Sequence, residues 1–466
     1  MFLRATLVAA AAAAHLSSFA QADSTADIRL QLQQLRVQYE ARIKALEQRL
    51  EAAERAQAAA TPAPAAPSTA AAPARVPAAS PAPQAAPGLA LSTVLTGTYA
   101  HLRNDPETYR IQGFIPGGEE LGPGSRSFSL GETELTLAAN IDPYFAGRMT
   151  FALTPEGEAE VEEAYFRTTA LGGGITLTGG RFLSSIGYLN NQHAHTWDFV
   201  DAPLAYKAFF GGRHRTDGMQ LKWVAPIDTY FELTAELGRG DSFPGSERNR
   251  NSPGSLSLGA RVGGDLGTSS SWRAGLSYLR AKSVDRAYED TDSSGADVVN
   301  AFTGHSGTYV LDGVYKWAPG GNRGATSFKL QGEHVWRREG GTLTYDLDSA
   351  ALGSATGDYR SRQSGWYVQG VYQFARIWRV GLRQDRLSSG TPMIGLVTDG
   401  TLTPADFPRL ERFSPRRTSV MIDYSLTEFS RLRLQLANDR AQPGRSDRQL
   451  FVQYIMSLGA HGAHSY

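Results

Sequence analysis

From residue 89 onward, apolar side chains return at every second position, in runs of about ten residues separated by turn-forming residues. In LSLGARVG, Leu256, Leu258, Ala260 and Val262 share one face, and Ser257, Gly259 and Arg261 take the other. RLRLQLAND sets Leu432, Leu434 and Leu436 against Arg431, Arg433 and Gln435, and RTSVMIDYS sets Val420, Ile422 and Tyr424 against Ser419, Met421 and Asp423. A period of two means extended strands with one apolar and one polar face. The same alternation surrounds Met219–Ala225, Phe231–Leu237, Trp272–Tyr278, Tyr309–Trp317, Phe328–Trp336, Trp366–Phe374 and Trp378–Leu382. A soluble sandwich rarely sustains such alternation through so many strands. A membrane barrel must, because one face meets lipid and the other water.

The connectors sharpen this expectation. Short turns (IDPY at 141–144, LGGG at 171–174, APID at 225–228, GDLG at 264–267, APGGN at 318–322) alternate with long polar loops near 104–125, 184–215, 241–254, 283–305, 338–364, 388–414 and 440–447. Short on one side and long on the other is the asymmetry of an outer-membrane barrel, with periplasmic turns and extracellular loops. Trp223, Tyr230, Trp272, Tyr315, Trp317 and Trp378 fall near strand ends, as interfacial girdles require. The expected fold is all-β: a 16-stranded antiparallel transmembrane β-barrel over 89–466, preceded by a short α-helical coiled coil.

The first 22 residues, MFLRATLVAAAAAAHLSSFAQA, have a basic start, an apolar stretch and a small-residue cleavage site, and are expected to be a secretory signal peptide. Residues 23–56 carry apolar positions at Ile28, Leu32, Leu35, Tyr39, Ile43, Leu46, Leu50 and Ala53, a heptad seam with one stutter. They predict a periplasmic coiled-coil segment. Residues 57–88 form an Ala/Pro-rich linker holding eight of the 23 prolines, a composition that favours an extended spacer. Cysteine is absent and charge is balanced, 46 basic residues against 46 acidic, which argues against a nucleic-acid partner. None of the motifs G-x-S-x-G, H-E-x-x-H or a P-loop occurs, so no enzymatic activity is expected.

If the apolar set faces lipid, its alternate lines the lumen. That places Arg379, Arg383, Arg417, Arg431, Arg433, Lys222 and Arg261 inward, with Arg273, Lys316 and Lys329, against Glu232, Glu236, Asp312, Glu333 and Asp423. A basic row along a water-filled pore favours anions; cross-lumen pairing is the alternative.

SFSLGETELTLAANIDPYFAGRMTFAL, EVEEAYFRTTA and ITLTGGRFLSSIGY, behind a heptad segment and spacer, resemble the phosphate-selective porin O/P superfamily. The resemblance implies a homotrimer of sixteen-stranded barrels in which the third extracellular loop narrows the pore. NNQHAHTWDFVDAPLAY would then form the constriction, with Trp197, Asp198 and Asp201 in it. HAHTWDF and the terminal SLGAHGAH are similar to a group of outer-membrane proteins associated with zinc-responsive genes and sometimes labelled TonB-dependent receptors. That label implies a plug domain and a 22-strand barrel, which this chain does not have the length to form.

His193 and His195 point to the same side of an extended backbone, and His461 and His464 are a second pair. With Asp198 and Asp201 as nearby oxygen donors, these four histidines are candidate metal ligands. Imidazole and carboxylate without thiolate suit zinc, nickel or copper. The bland alternative is ordinary loop histidines bonded to backbone. The functional expectation is a Gram-negative outer-membrane porin for passive diffusion of small hydrophilic solutes, including metal ions or anions. Its partners would be outer-membrane lipid and further copies of itself. The alternative is a structural protein tethering the membrane to periplasmic partners through its coiled coil.

Overall fold

The computed structural model describes residues 89–459, apart from 118–120, 154–156, 248, 323 and 352. The expected signal peptide, coiled coil and linker, and the pair His461 and His464, lie outside the described residues.

The wall begins with β1 (Ala90–Leu102). β2 (Ser127–Leu130) and β3 (Thr133–Asn140) pair with it in succession, so they form one stave interrupted at Gly131 and Glu132. There follow β4 (Phe145–Leu153), β5 (Ala159–Thr168), β6 (Ile175–Leu183), β7 (Arg215–Val224), β8 (Tyr230–Gly238) and β9 (Ser255–Leu266). The next four are longer: β10 (Ser270–Thr291), β11 (Asp297–Trp317), β12 (Ser327–Tyr345) and β13 (Ala355–Ala375). β14 (Trp378–Ser388), the two-residue β15 (Met393–Ile394), β16 (Arg416–Thr427), β17 (Ser430–Arg440) and β18 (Asp447–Gly459) complete the set. β15 only caps the end of β13. The other strands make sixteen antiparallel staves, and β18 pairs with β1 to close the barrel. Closure removes every sheet edge, which hydrocarbon demands of a strand structure.

The alternation sorts as expected. On β17, Leu432, Leu434 and Leu436 are exposed on the outer face, while Arg433, Gln435 and Asp439 are buried inside. β14 and β16 repeat this, with Val380, Leu382, Val420 and Ile422 outward and Arg383, Asp385, Arg417 and Asp423 inward. Outward aromatics pack in tilted pairs across neighbouring strands, as in Trp378 against Tyr424 (ring centroids 4.7 Å apart) and Tyr278 against Tyr309 (4.7 Å).

Two of the expected long loops are mostly strand. Residues 283–305 and 338–364 continue β10–β11 and β12–β13 as paired hairpins, with a bulge between Ser283 and Arg286 and connections after Thr291 and Tyr345. Beyond the bilayer the outer face no longer needs apolar residues, so the lipid-facing alternation fades while backbone pairing continues. What persists is an apolar inner face. Tyr288, Val298, Phe302, Leu343, Tyr345 and Tyr359 pack with Ile394, Leu396, Leu402, Phe407 and Leu410 from the connection after β14. The hairpins and that connection together roof one side of the extracellular mouth.

Candidate functional site

The third long connection, between β6 and β7, turns into the barrel instead of out into solvent. Its only regular helix is α1 (Leu204–Phe210), every residue of which is buried. The helix ends at Gly211 with φ 65°, where a Cβ would stand 2.1 Å from the Gly117 carbonyl oxygen, so only glycine fits. Ile186, Leu189, Trp197, Leu204, Tyr206, Phe209 and Phe210 of this loop pack on wall residues Leu279, Val310, Val335, Tyr367 and Leu387 and on Ile111 and Phe114 of the first loop.

An apolar plug in a polar-lined barrel leaves charged wall residues to be matched, and the loop supplies the partners. Asp201 Oδ1 accepts from Arg383 (2.7 Å) and from Gln435 (3.1 Å), while its other oxygen pairs with Arg417. Loop carbonyls take further guanidinium donors: Arg383 to Asp201 O (2.7 Å), Arg417 to Ala202 O (2.6 Å) and Arg433 to Trp197 O (2.9 Å). Asp198 pairs with Lys329 and with Arg379 (3.2 Å). Wall carboxylates hold loop donors in return. Glu333 accepts from the Tyr188 and Leu189 amides (3.2 and 3.0 Å) and from the Tyr206 hydroxyl, and Glu236 accepts from Ser184 Oγ (2.5 Å) and the Ser185 amide (2.7 Å). Burial pushes the Asp198 carboxyl up, but the Lys329 ammonium and Arg379 guanidinium outweigh it and hold the group well below the ordinary aspartate range. Asp201 is lowered likewise, by Arg417 and Arg383 against its burial.

This arrangement corrects two sequence expectations. Asp198 and Asp201 do not accompany the histidines, because wall cations capture them, Lys329 and Arg379 the first and Arg383 and Arg417 the second. Of the basic residues expected to line the pore, Lys222, Lys316, Lys329, Arg379 and Arg431 face open lumen. Arg261, Arg383, Arg417 and Arg433 point inward but are 0–3 % exposed beneath the loop, where they fasten it.

The carboxylates at the histidines are Glu134 on β3 and Glu162 and Glu163 on β5. His193 Nδ1 lies 3.0 Å from Glu134 and 3.0 Å from Glu162, and its Nε2 lies 3.1 Å from Glu163. His195 Nδ1 lies 2.8 Å from Glu134, and the two rings stack at 5.7 Å. Burial disfavours a charged imidazole at His193, but the three carboxylates reverse this and raise its pKa well above the ordinary value. Ligand atoms of Glu134, Glu162 and His193 lie within 4.8 Å of one another, a spacing that could hold a metal ion. Arg213 stands 2.5 Å from the second oxygen of Glu162 and neutralises part of that charge. These glutamates were missed because they lie some 30 to 60 residues before the histidines; only Glu163 shares the inward parity of Tyr165 and Arg167, and a register shift between β4 and β5 at Thr150 and Phe151 turns its neighbour Glu162 inward as well, which strict alternation does not foretell.

Below the loop, toward the short turns, the lumen opens into a vestibule of about 750 Å³. Its wall carries eight cations (Arg148, Arg167, Lys222, Lys316, Lys329, Arg376, Arg379 and Arg431) and three carboxylates (Glu134, Glu163 and Glu428). His193, His195, Gln192 and Tyr188 of the loop form part of its lining.

No family model matches the chain. Its fold is similar to that of a loop L8 deletion mutant of OmpT, an outer membrane protein of Vibrio cholerae, with a TM-score of 0.51 at 12% identity over 80% of this chain and all of that one. The outer membrane channel DcaP of Acinetobacter baumannii aligns at 0.46 and 12% identity, over 80% and 98% of the two chains. The Vibrio likeness is one of fold, an outer-membrane-type β-barrel. In sequence, an uncharacterized protein of Aquifex aeolicus (strain VF5) is 31% identical over 373 residues, 75% of this chain and 73% of the relative. The chain belongs to the same family as that Aquifex protein.

Proposed function

We propose that the protein is an outer-membrane porin for small hydrophilic solutes, with a preference for anions, and that the inserted loop is its constriction. The observation that carries this reading is the vestibule, where eight cationic side chains surround open space beneath a loop clamped by ion pairs. Cations on a low-dielectric wall concentrate anions at the entrance to the narrow section. Assembly as a homotrimer belongs to the same reading and follows the porin O/P resemblance. The test is single-channel recording of folded protein in planar bilayers under a salt gradient. A reversal potential on the anion side, reduced by Lys222→Glu, supports the reading; absence of conductance ends it.

The cluster of Glu134, Glu162 and His193, with His195 beside it, favours a second role for the same loop as a reversible divalent-metal site at the vestibule roof. Its donors are imidazole and carboxylate oxygen, compatible with Zn²⁺. Calorimetry with Zn²⁺ on the full chain and on the His193→Ala/His195→Ala variant tests it. Equal heats from the two proteins remove the site.

A further inference from the structure

The outer face of β14, β16 and β17 is layered in register. Leu382, Val420 and Leu436 stand opposite one another across the three strands, and all are exposed. One step toward the extracellular side, Gln384, Thr418 and Asn438 form a neutral polar row, with the Thr418 hydroxyl donating to Gln384 Oε1 at 2.7 Å. One step further, Arg386, Arg416 and Arg440 form a third row, again directly opposite one another and exposed. Four residues of tilted strand separate the apolar and arginine rows, about 10 Å along the membrane normal.

Three like charges side by side on a sheet repel each other. Inside the barrel such arginines meet carboxylates. Here, among the described residues, none of the three forms an ion pair. They line an open groove of about 670 Å³ with Arg412 and Arg445, and no carboxylate is among its lining residues. The pattern extends around the wall: on β12 and β13, Arg338 stands opposite Arg362 on the outer face, one step above Trp336. A cationic row without counter-ions, set above a polar row and an apolar row, is complementary to a lipid whose acyl chains, linking carbonyls and phosphates are stacked in that order.

We propose that this groove binds the phosphate groups of a phosphorylated glycolipid of the outer leaflet. Arg386, Arg416 and Arg440 contact phosphate oxygens, Gln384, Thr418 and Asn438 face the acyl linkages, and Leu382, Val420 and Leu436 lie along the chains. Guanidinium suits this role because its planar fork bonds phosphate bidentately and sheds water more readily than ammonium does. The groove opens on the outer surface, so its occupant is a lipid and not a permeating solute.

The test is native mass spectrometry of the detergent-extracted full chain mixed with bisphosphoryl lipid A, with fully dephosphorylated lipid A and with phosphatidylglycerol. Wild type is expected to retain the bisphosphoryl form and to discriminate against the other two. The Arg386→Gln/Arg416→Gln/Arg440→Gln variant is expected to bind at least about tenfold more weakly. Heat-modifiable gel migration and unchanged channel conductance establish that this variant is folded. Equal retention by the variant, indifference to the phosphates, or equal retention of phosphatidylglycerol overturns the proposal; the last would mean only a general attraction to anionic surfaces.

Discussion

Arg416 and Arg417 are adjacent in the chain and occupy opposite worlds. Arg417 points inward, is 1 % exposed, and is bound by Asp201 and the Ala202 carbonyl. Arg416 points outward between Arg386 and Arg440 and has no ion pair among the described residues. The difference follows from the pleat alone, since neighbouring residues of a strand face opposite sides. It separates two uses of one side chain. Under the inserted loop, arginine is structural: it is desolvated, and its charge is matched by carboxylates of the loop and the wall. Outside, it remains hydrated and its charge is free to attract.

The sharpest way to break the inner half of this comparison is Asp201→Ala, which leaves Arg383 and Arg417 buried without that carboxylate. Loss of one partner of a buried pair costs about 3–5 kcal/mol. The expected outcome is release of the 184–214 loop, read as protease cleavage within it and a several-fold rise in conductance. Arg417→Gln attacks the same contact from the wall and is expected to cost about 3 kcal/mol, measured as a fall in urea midpoint in detergent. Asp198→Asn has a smaller effect, about 1–2 kcal/mol, because Lys329 and Arg379 are about a quarter exposed and water replaces part of the lost interaction.

Acid provides a gentler probe. Both loop aspartates are held below their ordinary pKa, so their stabilisation is complete above pH about 4 and is lost as pH falls from there through the depressed values. Fluorescence of the buried Trp197 should therefore change on acidification below about pH 4. The smallest effect belongs to the outer face. Arg416→Gln in detergent should leave the urea midpoint unchanged, or raise it slightly through relief of repulsion; a loss comparable to that of Arg417→Gln would mean that the two arginines do not differ in role.

Most of the wall was legible because period two is a local property, and parity within a strand assigns each residue to lipid or lumen without further information. Leu432 and Arg433 illustrate this. Legibility ended where pairing between distant strands matters. His193 was visible as a motif, but the three carboxylates around it come from β3 and β5 and are brought there by barrel closure and loop insertion. The outer arginine row is invisible for the same reason: Arg386, Arg416 and Arg440 are unremarkable singly and align only through register. Residues 283–305 and 338–364 misled in another way. Their polar composition reads as loop, yet hairpin pairing continues after the bilayer no longer imposes a pattern.

The loop also reaches strands all around the wall: Glu134 and Glu162, Glu236, Glu333, Gln369, Arg383, Arg417, Arg433 and Gln435 each touch it. In the porin proposed above, a transmembrane voltage falls mainly across the section of highest resistance, which is this collar. The vestibule below it then sits close to periplasmic potential. An anion held there feels little of the field, while one passing the collar feels most of it, about 2.3 kcal/mol per charge at 100 mV. Block by anions added from the vestibule side should accordingly depend only weakly on voltage, whereas the current itself need not.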